Sequence, residues 1–505
     1  MFARPLSRRR FLGEASLIAS TLVLSPLLGR GSGALDSEHP FAELEVELDG
    51  DLLLPSNSRY DELRRVASFN PLTDKRPAAI ARCASEGDVA RSVVFAKERG
   101  LEIAVRSGGH DILGASVCDG GLMIDLSPMK ATQVDPRARI LRCGPGLRAG
   151  EVDRATQPFG LAAPLGCNPV VGISGLTLGG GIGWFAGKHG ATCDSLIRAR
   201  IVGADGQIRR ASRDENPDLF WALQGGGGNF GIASSLEYRL HPVTQVLGGL
   251  LAYPIGRLGR LHDVLRVYRD LLADSPDELT VEISIQTLAE PMIMAVVCHA
   301  GDRVAGERVL GPLRRLAPVG DTVELVDYVR LTDRPGAVFA LQSMGLLGTL
   351  EMLSRSFGAP PEYGHWRGAS LPNLSDAAID DFADAIAAAP PRWSIGIGHY
   401  MHGAICRRPG EETPLLRPPG RFTFFFSADW SEPHEAEDAI SWVDTSWRRL
   451  ATRESAASYV NYLCDSSPGA VRAAYGEHYA RLAQIKRVHD PENVFHLNRN
   501  ILPAS

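Results

Sequence analysis

The chain has 505 residues, 44% of them hydrophobic and 22% charged, which is too long for one simple domain and predicts two or three cores. A formal net charge of −6 lacks the basic excess that binding a phosphate backbone needs, so a dedicated nucleic-acid binder is excluded and small or neutral partners fit better. The 53 glycines and 33 prolines follow no short period, which excludes collagen-like, solenoid and low-complexity organisation.

Residues 7–12 read Ser-Arg-Arg-Arg-Phe-Leu and precede a moderately apolar stretch from Ala15 to Leu28. This pattern resembles a twin-arginine export signal, which we place over residues 1–35. The apolar stretch is shorter than the roughly 20 residues that span a bilayer and is broken by Pro26, so no stable membrane insertion is expected. The Tat translocase is the expected export partner, and the periplasm or the cell exterior the expected location. The eight cysteines, at 83, 118, 143, 167, 193, 298, 406 and 464, form no CxxC pair and no zinc spacing. One or two disulfides are compatible with export, and their connectivity is not readable from sequence.

The next stretch, 36–241, alternates helices with short strands. A helix is predicted at Glu86–Arg99, between Ser85 and Gly100, with strands at Ile103–Val105, Leu122–Leu126 and Ala199–Gly203. From residue 242 to 450 the texture changes. Strand candidates Leu279–Gln286, Met292–His299, Ser394–Ile405 and Phe422–Asp429 stand between helices such as Ser375–Ala389 and Glu435–Leu450, the pattern of an antiparallel sheet backed by helices. The segment 451–505 offers a short strand, a Tyr475–Lys486 helix and an Asp490-Pro491-Glu492-Asn493 turn. The expected class is α+β.

Four glycine-rich stretches punctuate the first region: Arg106-Ser107-Gly108-Gly109-His110, Gly172-Ile173-Ser174-Gly175, Gly179-Gly180-Gly181-Ile182-Gly183, and Gly225 to Gly231. Such stretches adopt φ > 0 and bring backbone N–H groups to an anion, forming a nest for a pyrophosphate. None ends in Gly-Lys-Ser/Thr, and none has Rossmann spacing after a first strand. A single stretch of this kind reads as a turn; four within one region point to a cofactor.

Together with Cys118-Asp-Gly-Gly-Leu-Met-Ile-Asp-Leu-Ser127, Asn216-Pro-Asp-Leu-Phe-Trp221, Tyr459-Val-Asn-Tyr462, Tyr475-Gly476 and Asp490-Pro-Glu-Asn-Val-Phe495, these stretches resemble the berberine-bridge-enzyme-like FAD-linked oxidases. The resemblance runs from about Arg76 to Ile501 and implies a PCMH-type, two-subdomain FAD-binding domain of the vanillyl-alcohol-oxidase kind, a substrate domain over 242–450, and a C-terminal return of 451–505 to the FAD domain. Export in the folded state suits a chain that loads its flavin first. His110 matches the histidine that carries FAD through an 8α bond, with Arg106, Ser107, Gly108 and Gly109 along the pyrophosphate. Gly114, Gly172, Gly175, Leu178, Gly179, Gly180, Gly181, Gly183, Trp184, Gly231, Ile232 and Asn461 complete the implied cofactor-binding set. Many relatives attach the flavin a second time through a cysteine at the position of Asn168. Cys167 stands one residue too early, which redirects its side chain, so a mono-covalent flavin is expected. Val171 matches the position that gates oxygen in the family.

The resemblance also makes Tyr459 or Tyr462 the base that accepts the substrate proton. Read as a strand, the segment puts 459 and 461 on one face and 462 on the other, and Tyr459 is preferred. An ordinary phenol titrates near pH ~10, so either tyrosine needs stabilisation to act near neutrality. His399 and His402 show no third ligand and read as polar strand residues, and no metal is expected. The strand Phe422–Trp430 shows no glutamate or glutamine ahead of its tryptophan, so no second acid–base residue is evident and aromatic walls are expected. The implied reaction passes hydride from an alcohol or hemiacetal carbon to flavin, with dioxygen as acceptor and hydrogen peroxide as product. An oligosaccharide or an aromatic or secondary-metabolite alcohol fits as substrate. A dehydrogenase with another acceptor, and a non-catalytic binding module on a decayed flavin fold, are the alternatives.

Overall fold

The computed structural model describes residues 39–67, 69–256, 258–287, 291–332, 363–452 and 459–505. The arginine motif and apolar stretch of the expected export signal lie outside the described residues. Three sheets position the site. The first contains β1 (Asp51–Leu53), β2 (Ala79–Arg82), β3 (Ile103–Arg106) and β4 (Leu122–Asp125) in the order β1-β2-β4-β3. Both β2 and β3 run parallel to β4, and β1 is antiparallel to β2. Helix α1 (Glu86–Glu98) links β2 to β3, as a parallel connection requires. Ser85 caps it: its hydroxyl accepts from the Asp88 N–H, while the Asp88 carboxylate accepts from the Ser85 N–H.

The second sheet is antiparallel: β5 (Thr132–Asp135), β6 (Ile140–Cys143), β7 (Leu196–Val202), β8 (Ile208–Ser212) and β9 (Ile232–Arg239), in the order β5-β6-β9-β7-β8. Helices α2 (Ala149–Thr156), α3 (Ile173–Leu178) and α4 (Pro217–Leu223) contribute Val152, Ile173, Phe220 and Trp221 to its core. Val471, Tyr475 and Leu482, from the C-terminal segment, belong to the same core.

The third sheet has eight antiparallel strands. They are β10 (Gln245–Pro254), β11 (Leu279–Thr287), β12 (Pro291–His299), β13 (Gly320–Asp321), β14 (Glu324–Asp327), β15 (Tyr363–Leu371), β16 (Trp393–Gly398) and β17 (Phe422–Trp430). The order is β13-β10-β12-β11-β16-β17-β15, with β14 also paired to β10. Period-two alternation gives this sheet two different faces. Val281, Ile283 and Ile285 on β11 and Phe424, Phe426 and Ala428 on β17 are buried against helices α5 (Leu258–Ala273), α6 (Asp376–Ala387) and α7 (Ala436–Ala451) through Leu265, Phe382 and Val443. The intervening Glu282, Ser284, Phe425 and Ser427 line a cavity on the other side.

Helix–strand alternation and the helix-backed antiparallel sheet match the α+β expectation. Two local expectations fail. Strand β16 ends at Gly398, because His399 takes a left-handed φ of 45° and the chain leaves the sheet before the short helix Ala404–Arg407. Residues Val460–Tyr462 form a 3₁₀ turn rather than a strand, so the alternation inferred for 459–462 does not apply. All eight cysteines are unpaired, and among the described residues no helix is long and apolar enough to cross a membrane.

Candidate active site

A cavity of about 780 Å³ lies between the glycine-rich loops of the first two sheets and the polar face of the third. Its cofactor-like end begins where β3 delivers Ser107, Gly108, Gly109 and His110. Gly108 meets Gly172 backbone to backbone: a Cβ on Gly108 would lie 2.4 Å from the Gly172 nitrogen, and one on Gly172 2.3 Å from the Gly108 nitrogen. Neither position has room for a side chain. Gly109 has φ +66°, the left-handed region that glycine tolerates. Burial holds the His110 imidazole below its ordinary pKa, with nearby Asp111 opposing and Arg148 adding to the shift. Asp111 is itself ion-paired to Arg499, which ties the C-terminal segment to the His110 loop.

The segment after residue 165 supplies Cys167, Asn168, Val171, Gly172, Gly175, Leu178 and Trp184 to the same wall, joined by Gly231 and by Ile232 at the start of β9. From the C-terminal segment come Tyr459, Asn461 and Tyr462, and beyond them Tyr475, Asn498 and Arg499. The Asp490 turn braces this last stretch. Its carboxylate accepts from the Val494 and Phe495 N–H groups and pairs with buried Lys486, whose ammonium also donates to the Asn229 and Phe495 carbonyls.

Some implied cofactor residues sit off the cavity wall. The Arg106 guanidinium turns away and donates to the Leu63 carbonyl. Gly114 packs on Thr73, and Gly179, Gly180, Gly181 and Gly183 pack on Asn461, Leu415, Thr192 and Leu165. Those glycines serve close packing. A Cβ on Gly183 would lie 1.7 Å from the Leu165 oxygen.

Aromatic rings join the two ends. Trp366 of β15 has its ring centroid 6.1 Å from His110, 6.0 Å from Phe425 and 6.0 Å from Tyr462. Tyr462 in turn stands 5.7 Å from Tyr459 and 5.6 Å from His399. The buried Tyr459 hydroxyl accepts from the Gly181 N–H at 2.8 Å and from Asn461 Nδ2 at 2.8 Å. Burial raises this phenol above its ordinary pKa, and the two donors work against that rise. Burial also raises Tyr462, with Glu282 adding to the effect.

Glu282 is the residue that the sequence pattern did not single out. It is half-buried on the cavity wall, its carboxyl raised by desolvation against the lowering influence of His399, whose backbone N–H donates to Oε1 at 2.9 Å. Two glycines of β16 make the wall possible. A Cβ on Gly398 would lie 1.7 Å from Glu282 Oε2, and one on Gly396 2.0 Å from Phe425 Cε1. The alternation Ile395-Gly396-Ile397-Gly398 is the signal that could have found them, since small residues every second position on a strand admit neighbouring side chains. His399, read from sequence as a strand residue, lies past the strand end with Nδ1 2.9 Å from Thr423 Oγ1. His402 bonds instead to the Tyr400 and Pro276 carbonyls.

A family model described as "FAD binding domain" matches residues 77–212, and one described as "Berberine and berberine like" matches residues 458–502. (R)-6-hydroxynicotine oxidase of Paenarthrobacter nicotinovorans is 31% identical over 473 residues, covering 91% of this chain and 98% of that protein. The chain belongs to the berberine-bridge-enzyme-like family of FAD-linked oxidases. The crystal structure of 6-hydroxy-D-nicotine oxidase from Arthrobacter nicotinovorans superposes with a TM-score of 0.77 at 26% identity, covering 90% of this chain and 98% of that one. Xylooligosaccharide oxidase from Myceliophthora thermophila, at 23% identity and a TM-score of 0.74, covers 92% and 99% and shares the fold.

This berberine-bridge-enzyme-like chain is therefore an FAD-dependent oxidoreductase with a PCMH-type FAD-binding fold, and its residues fit the cofactor. The Gly108–Gly172 contact leaves backbone where side chains would intrude. Around the cavity, the Ser116 hydroxyl, Trp184 Nε1, the Tyr475 hydroxyl and Asn498 Oδ1 are buried without a hydrogen-bond partner, polar groups that a dinucleotide can satisfy. The volume is in the range of cofactor and ligand sites.

Proposed function

We propose that this protein is an oxidase that takes hydride from a hydroxyl-bearing carbon of a small ring-containing donor, a hemiacetal or an aromatic or secondary-metabolite alcohol, and passes the electrons to dioxygen. The observation that carries the reading is one continuous cavity lined both by His110 with its glycine loops and by Trp366, Phe425 and Tyr462, with Trp366 6.1 Å from His110. Bound FAD, attached through His110, supplies the hydride acceptor and its reoxidation by oxygen.

The chain's own residues do the rest. Trp366, Phe425 and Tyr462 present ring faces and edges that hold a flat or ring-shaped donor and exclude water. Tyr459 is our choice for the base, because two N–H groups already point at its oxygen and stabilise the phenolate against burial. Asn461 positions it, bridging the Tyr459 hydroxyl and the Leu176 carbonyl. Val171, small and apolar on the cavity wall, leaves a path for oxygen. A single bond through His110 is the expected attachment, since Cys167 Sγ turns to Glu282, 4.0 Å away.

A second reading, oxidation at a carbon bearing an amine, is favoured by Glu282, a half-buried carboxyl on the cavity wall suited to a cationic nitrogen, and by the hydroxynicotine oxidase at 31% identity. Peroxide release from a panel of oligosaccharides, aromatic alcohols and cyclic amines tests both. Turnover of the hydroxyl donors supports the first reading, and turnover of amines alone replaces it with the second. We further propose Tat-dependent export to the periplasm or beyond, supported by the arginine motif at residues 7–12. Cell fractionation with and without Arg8→Lys/Arg9→Lys is the check, and unchanged fractionation would reject it.

A further inference from the structure

Three potential metal ligands from distant parts of the chain converge on the cavity wall. Cys167 lies in the loop after residue 165, Glu282 lies on β11 and His399 follows β16. One ligand atom from each lies within 4.8 Å of the other two. Cys167 Sγ is 4.0 Å from Glu282 Oε1, and His399 Nδ1 is 4.0 Å from Glu282 Oε2.

We propose that Cys167, Glu282 and His399 bind a thiophilic divalent cation, with Zn²⁺ as the probe, and that the bound ion blocks the donor end of the cavity. The donor set is one sulfur, one imidazole nitrogen and one carboxylate oxygen. Zinc accepts that combination, whereas calcium and magnesium require mostly oxygen. Around one tetrahedral zinc, ligand atoms stand roughly 3.3–3.8 Å apart, so side-chain shifts of roughly an ångström close the set. The His399 Nδ1 that faces Glu282 also lies 2.9 Å from Thr423 Oγ1, a hydrogen bond that the ion replaces on binding.

Charge favours the same occupant. A thiolate, a carboxylate and a neutral imidazole around a dication make a neutral group, the form that a largely apolar wall of Trp366, Phe425 and Tyr462 accommodates. On binding, the thiol proton leaves to solvent as the sulfur–metal bond forms. All three side chains line the cavity, so the fourth coordination position faces the space a donor enters. The ligands are separated by 115 and 117 residues, which is why His399 alone gave no metal signature in the sequence.

The test uses the flavin-loaded full chain, stripped of metal and titrated with Zn²⁺ against a chromogenic chelator. One tight equivalent is expected. Cys167→Ser and His399→Gln should each weaken it by more than the roughly 10–100-fold that loss of an outer-sphere partner costs. Cd²⁺ should add a thiolate charge-transfer band that Cys167→Ser removes. Flavin content measured on the same samples checks that the variants are folded. Wild-type affinity no tighter than that of Cys167→Ser or His399→Gln, or no thiolate band, would overturn the site. The blocking effect rests on the oxidase reading and is scored separately: chelator-reversible loss of turnover supports it, and tight binding with full turnover overturns the block while leaving the site. A chain without oxidase activity would still give the chelator titration.

Discussion

The two ends of the cavity were written into the chain in different ways. The cofactor end is local: each loop carries its own glycines, and their reason is visible within a few residues or in one backbone contact, as at Gly108 and Gly172. The donor end is assembled by register. Glu282 faces the cavity because of where β11 sits in an alternation of buried and lining residues, and it has room because Gly398 stands on the neighbouring strand. Gly108 and Gly172 meet backbone to backbone, whereas Gly396 and Gly398 make room for the side chains of Phe425 and Glu282, so the first pair should tolerate less change.

That contrast is tested first where it predicts complete loss. His110→Ala should release all flavin from the acid-precipitated chain, with the intact mass falling by one FAD. Retention of the bond would transfer it to Cys167. Tyr459→Phe is expected to lower kcat by about 10²–10⁴-fold, the usual worth of a positioned base, with Tyr462→Phe falling short of that. The burial that raises Tyr459 fixes the sign of the pH dependence, since a base is active only when deprotonated: kcat/KM should climb with pH through the alkaline range. A profile flat across that range argues against a tyrosine base.

Gly108→Ala, at the close-packed end, should destabilise the fold by about 1–3 kcal/mol or more and reduce flavin content, measured by thermal unfolding of the holoprotein. At the open end, Glu282→Gln should leave thermal stability nearly unchanged and alter selectivity instead, raising KM for cationic amines about tenfold relative to neutral alcohols. Gly398→Ala, whose new Cβ would meet the Glu282 carboxylate, should shift selectivity in the same direction by less. Equal effects of Gly108→Ala and Glu282→Gln on stability would erase the distinction between the two ends.

Legibility followed the same division. Helix α1 was readable because Ser85 and Gly100 bracket it, β11 because apolar and polar residues alternate along it, and β12 and β17 because they are rich in apolar and aromatic residues. Strand β16 was overextended, since nothing local to Gly398-His399 announces that the histidine adopts positive φ. The tyrosine segment was misread as extended, although the 3₁₀ turn is what lets Asn461 reach back to the Tyr459 hydroxyl. Arg106 and the glycines from 179 to 183 belong to the family pattern, yet they serve packing around the site. Glu282 was out of reach because its meaning depends on strands more than 100 residues apart.

The most direct test of the central claim is anaerobic mixing of the purified holoprotein with candidate donors, following the flavin absorbance and then admitting air. The account predicts that a ring-bearing hydroxyl donor bleaches the flavin and that air restores the colour with one hydrogen peroxide per donor oxidised. A flavin that is bleached but stays reduced in air would make the protein a dehydrogenase, and a chain that takes up no FAD would contradict the account at its root.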